Sequence, residues 1–157
     1  YGTLWRYGAT TGRAVGHVEL GLFPATLQVS PDGRTAWVVN FNLHGDMVPS
    51  SVSVVDLGPA LSGTTPNGAS APAASDPDGG MAEIARISTC AMPHGSRLTP
   101  DGTRHYSACM MDEALVEIDA RTLAVSRHFL LTKGAERGAV GPLPTRADAH
   151  AGHAGHD

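Results

Sequence analysis

The chain has 157 residues, of which 41% are hydrophobic and 17% are charged, and it contains 19 glycines and 11 prolines. A composition that is poor in charge and rich in turn-forming residues favours many short strands over helices. The net charge is −4 and the lysines and arginines are scattered singly. No basic stripe for phosphates is present, so nucleic acid is not an expected partner. No apolar run approaches the ~18 residues of a membrane span, and none is expected.

The chain contains an internal repeat. The stretch FPATLQVSPDGRTAWVVN begins at Phe23, and MPHGSRLTPDGTRHYSAC begins 69 residues later at Met92. Each copy carries a Pro-Asp-Gly turn between two segments of alternating polarity, which predicts a hairpin. Downstream, Asp56 matches Asp119 at an offset of 63, so the first copy has six extra residues in the loop 44–50.

Between the two copies lies a low-complexity stretch, 59–80, which is nearly all Pro, Gly, Ala, Ser, Thr and Asn. Such a segment buries too little apolar area to fold, so we expect an inserted flexible loop. Without it the repeat shortens to roughly 45 residues, close to one propeller blade. The segment from Leu4 resembles that from Leu115, so the chain enters on a third strand and leaves on a fourth.

The sequence therefore predicts an all-β fold, a β-propeller over residues 1–139. We expect two complete four-stranded antiparallel blades and parts of the neighbouring blades. Residues 140–157, rich in Pro, Ala, Gly and His, are expected to be flexible. The alternative is a small β-sandwich with two similar hairpins.

The strings SPDGRTAWVVN followed by SVSVVDL, and TPDGTRHYSAC followed by LVEIDARTL, resemble the YVTN-type repeat of seven-bladed β-propellers. The resemblance extends from Leu4 to about Leu131. It implies that the strand before each Pro-Asp-Gly turn is innermost and lines the axial channel. It also implies about seven blades, so this chain is expected to be a fragment of a larger ring. Propellers host many unrelated activities, so the resemblance alone implies no function.

Soft donor atoms gather at one predicted rim. The residue before each inner strand marks the channel mouth, which is Ala25 in the first copy and His94 in the second. Antiparallel pairing of the second hairpin places His94 opposite Ala108 or Cys109. The full set of donors expected on this rim is Cys90, Met92, His94, Cys109, Met110 and Met111.

Thiolate, thioether and imidazole are the donors that copper, and Cu(I) in particular, favours. The rim is therefore a candidate copper site. Two alternatives stay open at this point: a disulfide between Cys90 and Cys109 with the methionines as ordinary packing, or neither arrangement.

Three further histidines, His150, His153 and His156, are spaced three apart in the C-terminal tract. Imidazoles at that density bind Cu(II), Zn(II) or Ni(II), and the alternative is a solvated tail. His44 and Met47 in the expanded loop could add ligands, although isolated surface residues are the simpler interpretation. The histidines within predicted strands are expected to be structural or solvent-facing, and they are His17, His105 and His128.

The leading functional hypothesis is an extracytoplasmic protein, periplasmic or secreted, that binds a soft transition metal for storage, delivery or sensing, with copper as the expected metal. A second hypothesis is a copper-dependent oxidoreductase similar to nitrous oxide reductase, whose propeller holds its metal with axial histidines; here only one of the two inner strands offers one. A third is a non-catalytic scaffold with a protein partner on a propeller face. No phosphate loop or nucleophile elbow is present, and no catalytic residue is predicted.

Overall fold

The computed structural model describes residues 2–45, 48–58 and 80–144. Met47, most of the predicted loop 59–80 and the histidines His150, His153 and His156 lie outside these residues. Within them the chain forms eleven strands, and no helix long and apolar enough to cross a membrane occurs. The strands are β1 Thr3–Tyr7, β2 Ala14–Glu19, β3 Pro24–Val29, β4 Thr35–Asn40, β5 Pro49–Asp56, β6 Ala82–Ala91, β7 Pro93–Leu98, β8 Arg104–Cys109, β9 Ala114–Asp119, β10 Ala124–Leu130 and β11 Arg137–Val140.

The strands form three antiparallel sheets that match the predicted blades. Strands β3 to β6 make one four-stranded sheet in chain order, and β7 to β10 make another. We call these blade 1 and blade 2. Strands β1 and β2 form a two-stranded sheet, the predicted partial blade. The all-β, propeller-type architecture predicted from the repeat is therefore what the structure contains.

Blade 2 carries a fifth strand that the sequence did not predict. After β10 the chain turns through Gly134, which has a φ of 81°, and returns as β11 along the outer edge of β10. Two hydrogen bonds at Gly141, directly after β11, hold the end of this strand against β10. The Gly141 N–H donates to the Ser126 carbonyl, and Nδ1 of His128 lies 2.8 Å from the Gly141 carbonyl oxygen. The boundary expected between 139 and 140 consequently falls inside β11.

The two Pro-Asp-Gly turns are built alike. Asp32 Oδ1 accepts hydrogen bonds from Ser30 Oγ and the Arg34 N–H, and Asp101 Oδ1 accepts from Thr99 Oγ1 at 2.5 Å and the Thr103 N–H at 3.0 Å. Because these bonds favour the ionised carboxylate, the pKa of Asp101 is lowered to about 2. The glycines take positive φ, as the turn requires.

The main core lies between the two blades. Blade 1 contributes Trp37, Val52 and Val54, and blade 2 contributes Val116 and Ile118, all of them buried. A second, smaller core lies on the other side of blade 1, where its Ala36, Val38 and Val55 meet Leu4 and Val18 of the two-stranded sheet. Each sheet therefore buries its apolar side chains against the next sheet, and blade 1 is covered on both faces.

His105 of β8 is a buried part of the interface between the blades. Its ring stacks on Trp37, with ring centroids 5.1 Å apart, and its Nε2 lies 2.8 Å from Ser96 Oγ. No solvent reaches the residue, and burial lowers its pKa to about 4. Desolvation penalises the imidazolium, so His105 is neutral at pH 7. This agrees with the structural role expected for it.

Stability should fall as the pH drops from 6.5 towards 4. In that window His105 takes up a proton in the unfolded chain but not in the folded one, so acid favours unfolding. The full effect is on the order of 3 kcal/mol. Urea unfolding followed by tryptophan fluorescence between pH 8 and pH 4 measures it, and His105→Gln, which cannot titrate, should flatten the profile. An identical pH dependence in both proteins would rule out this assignment.

Candidate functional site

The predicted rim corresponds to one edge of the sheets, which we call the mouth edge. It comprises the connections that lead into β3 and β7 and the loops between β4 and β5 and between β8 and β9. In an antiparallel sheet these connections all emerge at the same end of the strands. Bonds along the edge confirm this: the Phe41 N–H donates to the Phe23 carbonyl, and the Met110 N–H to the Met92 carbonyl.

His94 lies on a β-bulge at this edge. Pro93 pairs with Cys109 and Gly95 pairs with Ala108, so His94 is the extra, unpaired residue between them. The hairpin pairing predicted its position near Ala108 and Cys109 but not the bulge. A bulge turns its side chain away from the regular alternation, and bulges are common beside functional sites. His94 is exposed. Its ring meets Phe41 edge-on at 5.1 Å, and its carbonyl accepts a hydrogen bond of 2.6 Å from Thr26 Oγ1 of blade 1.

The residues immediately before β3 and β7 adopt left-handed backbone conformations, and Ala25 and His94 lie one residue inside these strands. Phe23 has a φ of 52° and Met92, its counterpart in the repeat, a φ of 50°. Bulky side chains rarely adopt this conformation, which costs of order 1–3 kcal/mol when it is imposed. Because both copies share it, the conformation belongs to the repeat. Its consequence is specific to blade 1, where Phe23 is left half exposed on the mouth edge.

Cys90 and Cys109 form a disulfide. Of the alternatives left open by the sequence, the structure contains this one. Cys109 alternates along β8 with residues that face away, so its side chain points with His105 into the core between the blades, where both cysteines are buried. Paired and buried, the two sulfurs do not act as thiolate ligands. The bond joins β6 of blade 1 to β8 of blade 2.

The remaining predicted donors of the rim lie on one edge of the sheets. His94, Met92, Met110 and Met111 stay on the mouth edge, where Met110 is 57% exposed. His17, for which the sequence predicted a structural or solvent-facing role, stacks on Trp5 in the two-stranded sheet, with ring centroids 4.7 Å apart. Within the ranges that the structure describes, no group of three or more His, Cys, Asp or Glu is arranged to hold a metal ion.

A groove of about 740 Å³ on the mouth edge of blade 1 was not predicted. Its volume is within the usual range for ligand sites. Exposed apolar side chains supply most of its wall, and Asn42 and His44 add polar groups; His44 lies edge-on to Phe23 at 6.3 Å. The six extra residues in the loop 44–50 of the first copy were the available signal, because His44, Gly45 and Val48 of that loop line the groove. The apolar wall consists of Leu22, Phe23, Pro24, Leu43 and Val48.

Comparison with known proteins supports the fold. No family model and no curated protein matches the chain. Among solved structures it is similar to hydrazine synthase of Kuenenia stuttgartiensis, with a TM-score of 0.58 and 25% identity over 80% of this chain and 29% of that one. It is also similar to a Bacteroides fragilis protein provisionally assigned as a 6-phosphogluconolactonase, with a TM-score of 0.55 and 17% identity over 90% of this chain and 34% of that one. The chain thus spans about a third of each.

Removing the disulfide should destabilise the protein without changing its fold. The bond closes a loop with a sequence separation of 19, and loops of that size contribute about 3 kcal/mol. We expect Cys90→Ala/Cys109→Ala to lower the urea midpoint accordingly, and the native protein to show no reactive thiols when denatured without reductant. Two free thiols per denatured chain would contradict the disulfide.

Proposed function

We propose that this chain is part of an extracytoplasmic propeller of the YVTN type, periplasmic or secreted, and that it serves as a non-catalytic binding module. Its binding surface is the groove on the mouth edge of blade 1. The observation that carries the proposal is the exposure of Phe23, held in a strained conformation, beside other exposed apolar side chains. Contiguous apolar surface of this kind marks interaction sites in soluble proteins.

The chemistry of the groove indicates what it binds. The apolar wall favours an aliphatic or aromatic group, and the His44 ring and Asn42 amide can exchange hydrogen bonds with a polar atom beside it. We propose that the occupant is an aromatic side chain of a protein partner, because such a group combines an apolar body with a polar tip. The disulfide supports the extracytoplasmic location, since disulfides persist in oxidising compartments.

An apolar fluorescent probe tests the groove directly. The dye 1-anilinonaphthalene-8-sulfonate should bind the folded protein, and Phe23→Ala should weaken that binding several-fold because it removes the central wall of the groove. The free-energy cost of the left-handed backbone is similar for alanine and phenylalanine. The variant therefore changes mainly the side chain and leaves the backbone strain as it is.

The matched control is Val140→Ala, which removes an apolar side chain that is 87% exposed on β11, away from the groove. It should leave dye binding unchanged. Partial unfolding would raise the dye signal, so a loss of signal is specific to the site. Equal binding by native protein and Phe23→Ala would refute the groove as the binding surface.

A second candidate function is capture of a soft metal, with copper as the cargo. The supporting observation is that His94 is the bulged residue, that Met92 lies two residues before it and that the Met110 N–H donates to the Met92 carbonyl, so an imidazole and two thioethers share one edge. Where cysteines are paired, imidazole and thioether remain as donors suited to Cu(I). The copper-oxidoreductase alternative would require further ligands beyond these three. Copper, zinc or nickel binding by His150, His153 and His156 stays a prediction.

Anaerobic titration with Cu(I) against a chromophoric chelator tests this second candidate. We expect about one equivalent at the mouth edge and at least a tenfold loss of affinity in His94→Ala and in Met110→Leu. His17→Ala is the control for a histidine elsewhere, and replacing the three tail histidines separates their contribution. Unchanged affinity in both mouth-edge variants would remove the metal hypothesis while leaving the groove proposal intact.

A further inference from the structure

A second pocket lies on the mouth edge, where blade 1 meets blade 2, and has a volume of about 460 Å³. We call it the junction pocket. Blade 1 lines it with Val48, Pro49 and the end of β6, blade 2 lines it with Asp112 from the loop between β8 and β9, and the segment 142–144 after β11 supplies a further wall. Its volume is within the usual range for ligand sites. The pocket is formed between two complete blades, so it is not an outer sheet face that a further blade of a larger ring would cover.

Strand β11 leads the chain to this pocket. Directly after the strand, Gly141 is held against β10 by its bonds to Ser126 and His128. The next residues, 142–144, line the pocket, and Leu143 among them packs against the main core between the blades. Prolines on both sides of Leu143 restrict the backbone of this segment. The unpredicted fifth strand therefore places an apolar wall beside the junction of the two blades.

The junction pocket contains one charged group. Among the described residues that line it, only Asp112 carries a charge. Its Oδ2 accepts a hydrogen bond of 2.7 Å from the Ala91 N–H. Within the described ranges no other hydrogen bond reaches this carboxylate, so Oδ1 can accept one from a ligand. A carboxylate beside an apolar wall favours a cationic ligand, because a hydrogen bond between two charged groups is stronger than one between neutral groups.

Hydroxyl groups add to the polar side of the pocket. Ser88, which is exposed, and Thr89, which is buried, both line it. Thr89 Oγ1 donates to the Ser50 carbonyl over 3.4 Å, and a hydroxyl oxygen that donates can still accept. The ammonium of a lysine has three donors and no acceptor, so one carboxylate oxygen and two hydroxyl oxygens match it in number.

The same polar groups suit an arginine less well. A guanidinium binds a carboxylate best through two parallel hydrogen bonds, one to each oxygen. Oδ2 of Asp112 is already bonded to the backbone of Ala91, which leaves one oxygen for the ligand. The ammonium is a compact charge and needs no second oxygen. The pocket is therefore better suited to lysine than to arginine.

The rest of the pocket is apolar and suits the stem of a lysine. Val48, Pro49 and Leu143 line it together with Cys90, whose sulfur is held in the disulfide. A lysine side chain packs its methylene groups along apolar surface while its charged end reaches a polar group. The junction pocket offers surfaces for both parts of that side chain.

We propose that the junction pocket binds a lysine side chain of a protein partner, with the ammonium on Asp112 and the stem against Leu143. Val48 lines both this pocket and the groove of blade 1, so one partner lying on the mouth edge reaches both. The choice of a protein as the partner rests on the function proposed above. The choice of an ammonium group rests on the junction pocket alone.

Titration with Nα-acetyl-lysine amide tests the proposal. The amide signals of the full, ¹⁵N-labelled chain are followed by NMR, and the Ala91 amide is the reporter because it is bonded to Asp112. We expect a saturable shift of that signal with a dissociation constant of about 1 mM, the scale for a ligand of this size. Nα-acetyl-norleucine amide, which has the apolar stem without the ammonium, and Nα-acetyl-arginine amide should each bind about tenfold more weakly.

Two variants separate the contributions of charge and stem. Asp112→Asn keeps an acceptor for the Ala91 N–H but removes the charge, so the lysine amide should bind about tenfold more weakly while binding of the norleucine amide is unchanged. Leu143→Ala should weaken the binding of both. The matched control is Glu113→Gln, which makes the same charge change on the neighbouring exposed residue and should leave both affinities unchanged.

Three results would overturn the proposal. They are no saturable shift at Ala91, equally tight binding of the norleucine or arginine amide, and an equal loss of affinity in Asp112→Asn and Glu113→Gln. Circular dichroism establishes that each variant is folded. Phe23→Ala should leave binding of the lysine amide unchanged, and Asp112→Asn should leave dye binding in the groove unchanged, so a failure of the groove and a failure of the junction pocket are seen separately.

Discussion

The packing of one sheet on the next is the interaction on which the rest of this structure depends. Neither blade has an interior of its own, because each sheet is a single layer and must bury an apolar face against a neighbour. At the centre of the larger interface, the Trp37 ring lies on the neutral His105 ring. The disulfide between β6 and β8 ties the same two sheets covalently. Together these contacts hold the mouth edges of the two blades in one surface.

The packing of blade 1 on blade 2 also explains how the two candidate sites arise on the mouth edge. The repeat supplies a left-handed residue and a bulge to both blades at equivalent positions, and the side chains there differ. In blade 1 the left-handed residue is Phe23 and the bulged one Ala25, which together with the expanded loop leaves an apolar groove. In blade 2 the same places hold Met92 and His94, which leaves soft donors. The same backbone conformation therefore carries an apolar groove in blade 1 and imidazole and thioether groups in blade 2.

Local features of this fold were readable from the sequence. The Pro-Asp-Gly turns, the strands around them and the position of His94 near Cys109 follow from short-range patterns with a period of two. The state of Cys90 and Cys109 was not decidable, because it depends on the 5.9 Å between Cα atoms on two different sheets. The role of Glu117 could not be predicted for the same reason: its hydrogen-bond partners Tyr106 and Arg127 come from two other strands, β8 and β10. Strand β11 was missed because its four residues are exposed and show no alternation.

The left-handed conformation shared by Phe23 and Met92 also constrains how this protein can evolve. Glycine at either position would relieve backbone strain, a gain of about 1 kcal/mol or more. The same substitution would remove the side chain that Phe23 or Met92 places on the mouth edge. At these two positions, a change that raises stability therefore removes the surface group that could bind a ligand. A stabilised variant made by introducing glycine at Phe23 would keep the fold while erasing the feature that distinguishes blade 1 from a plain structural repeat.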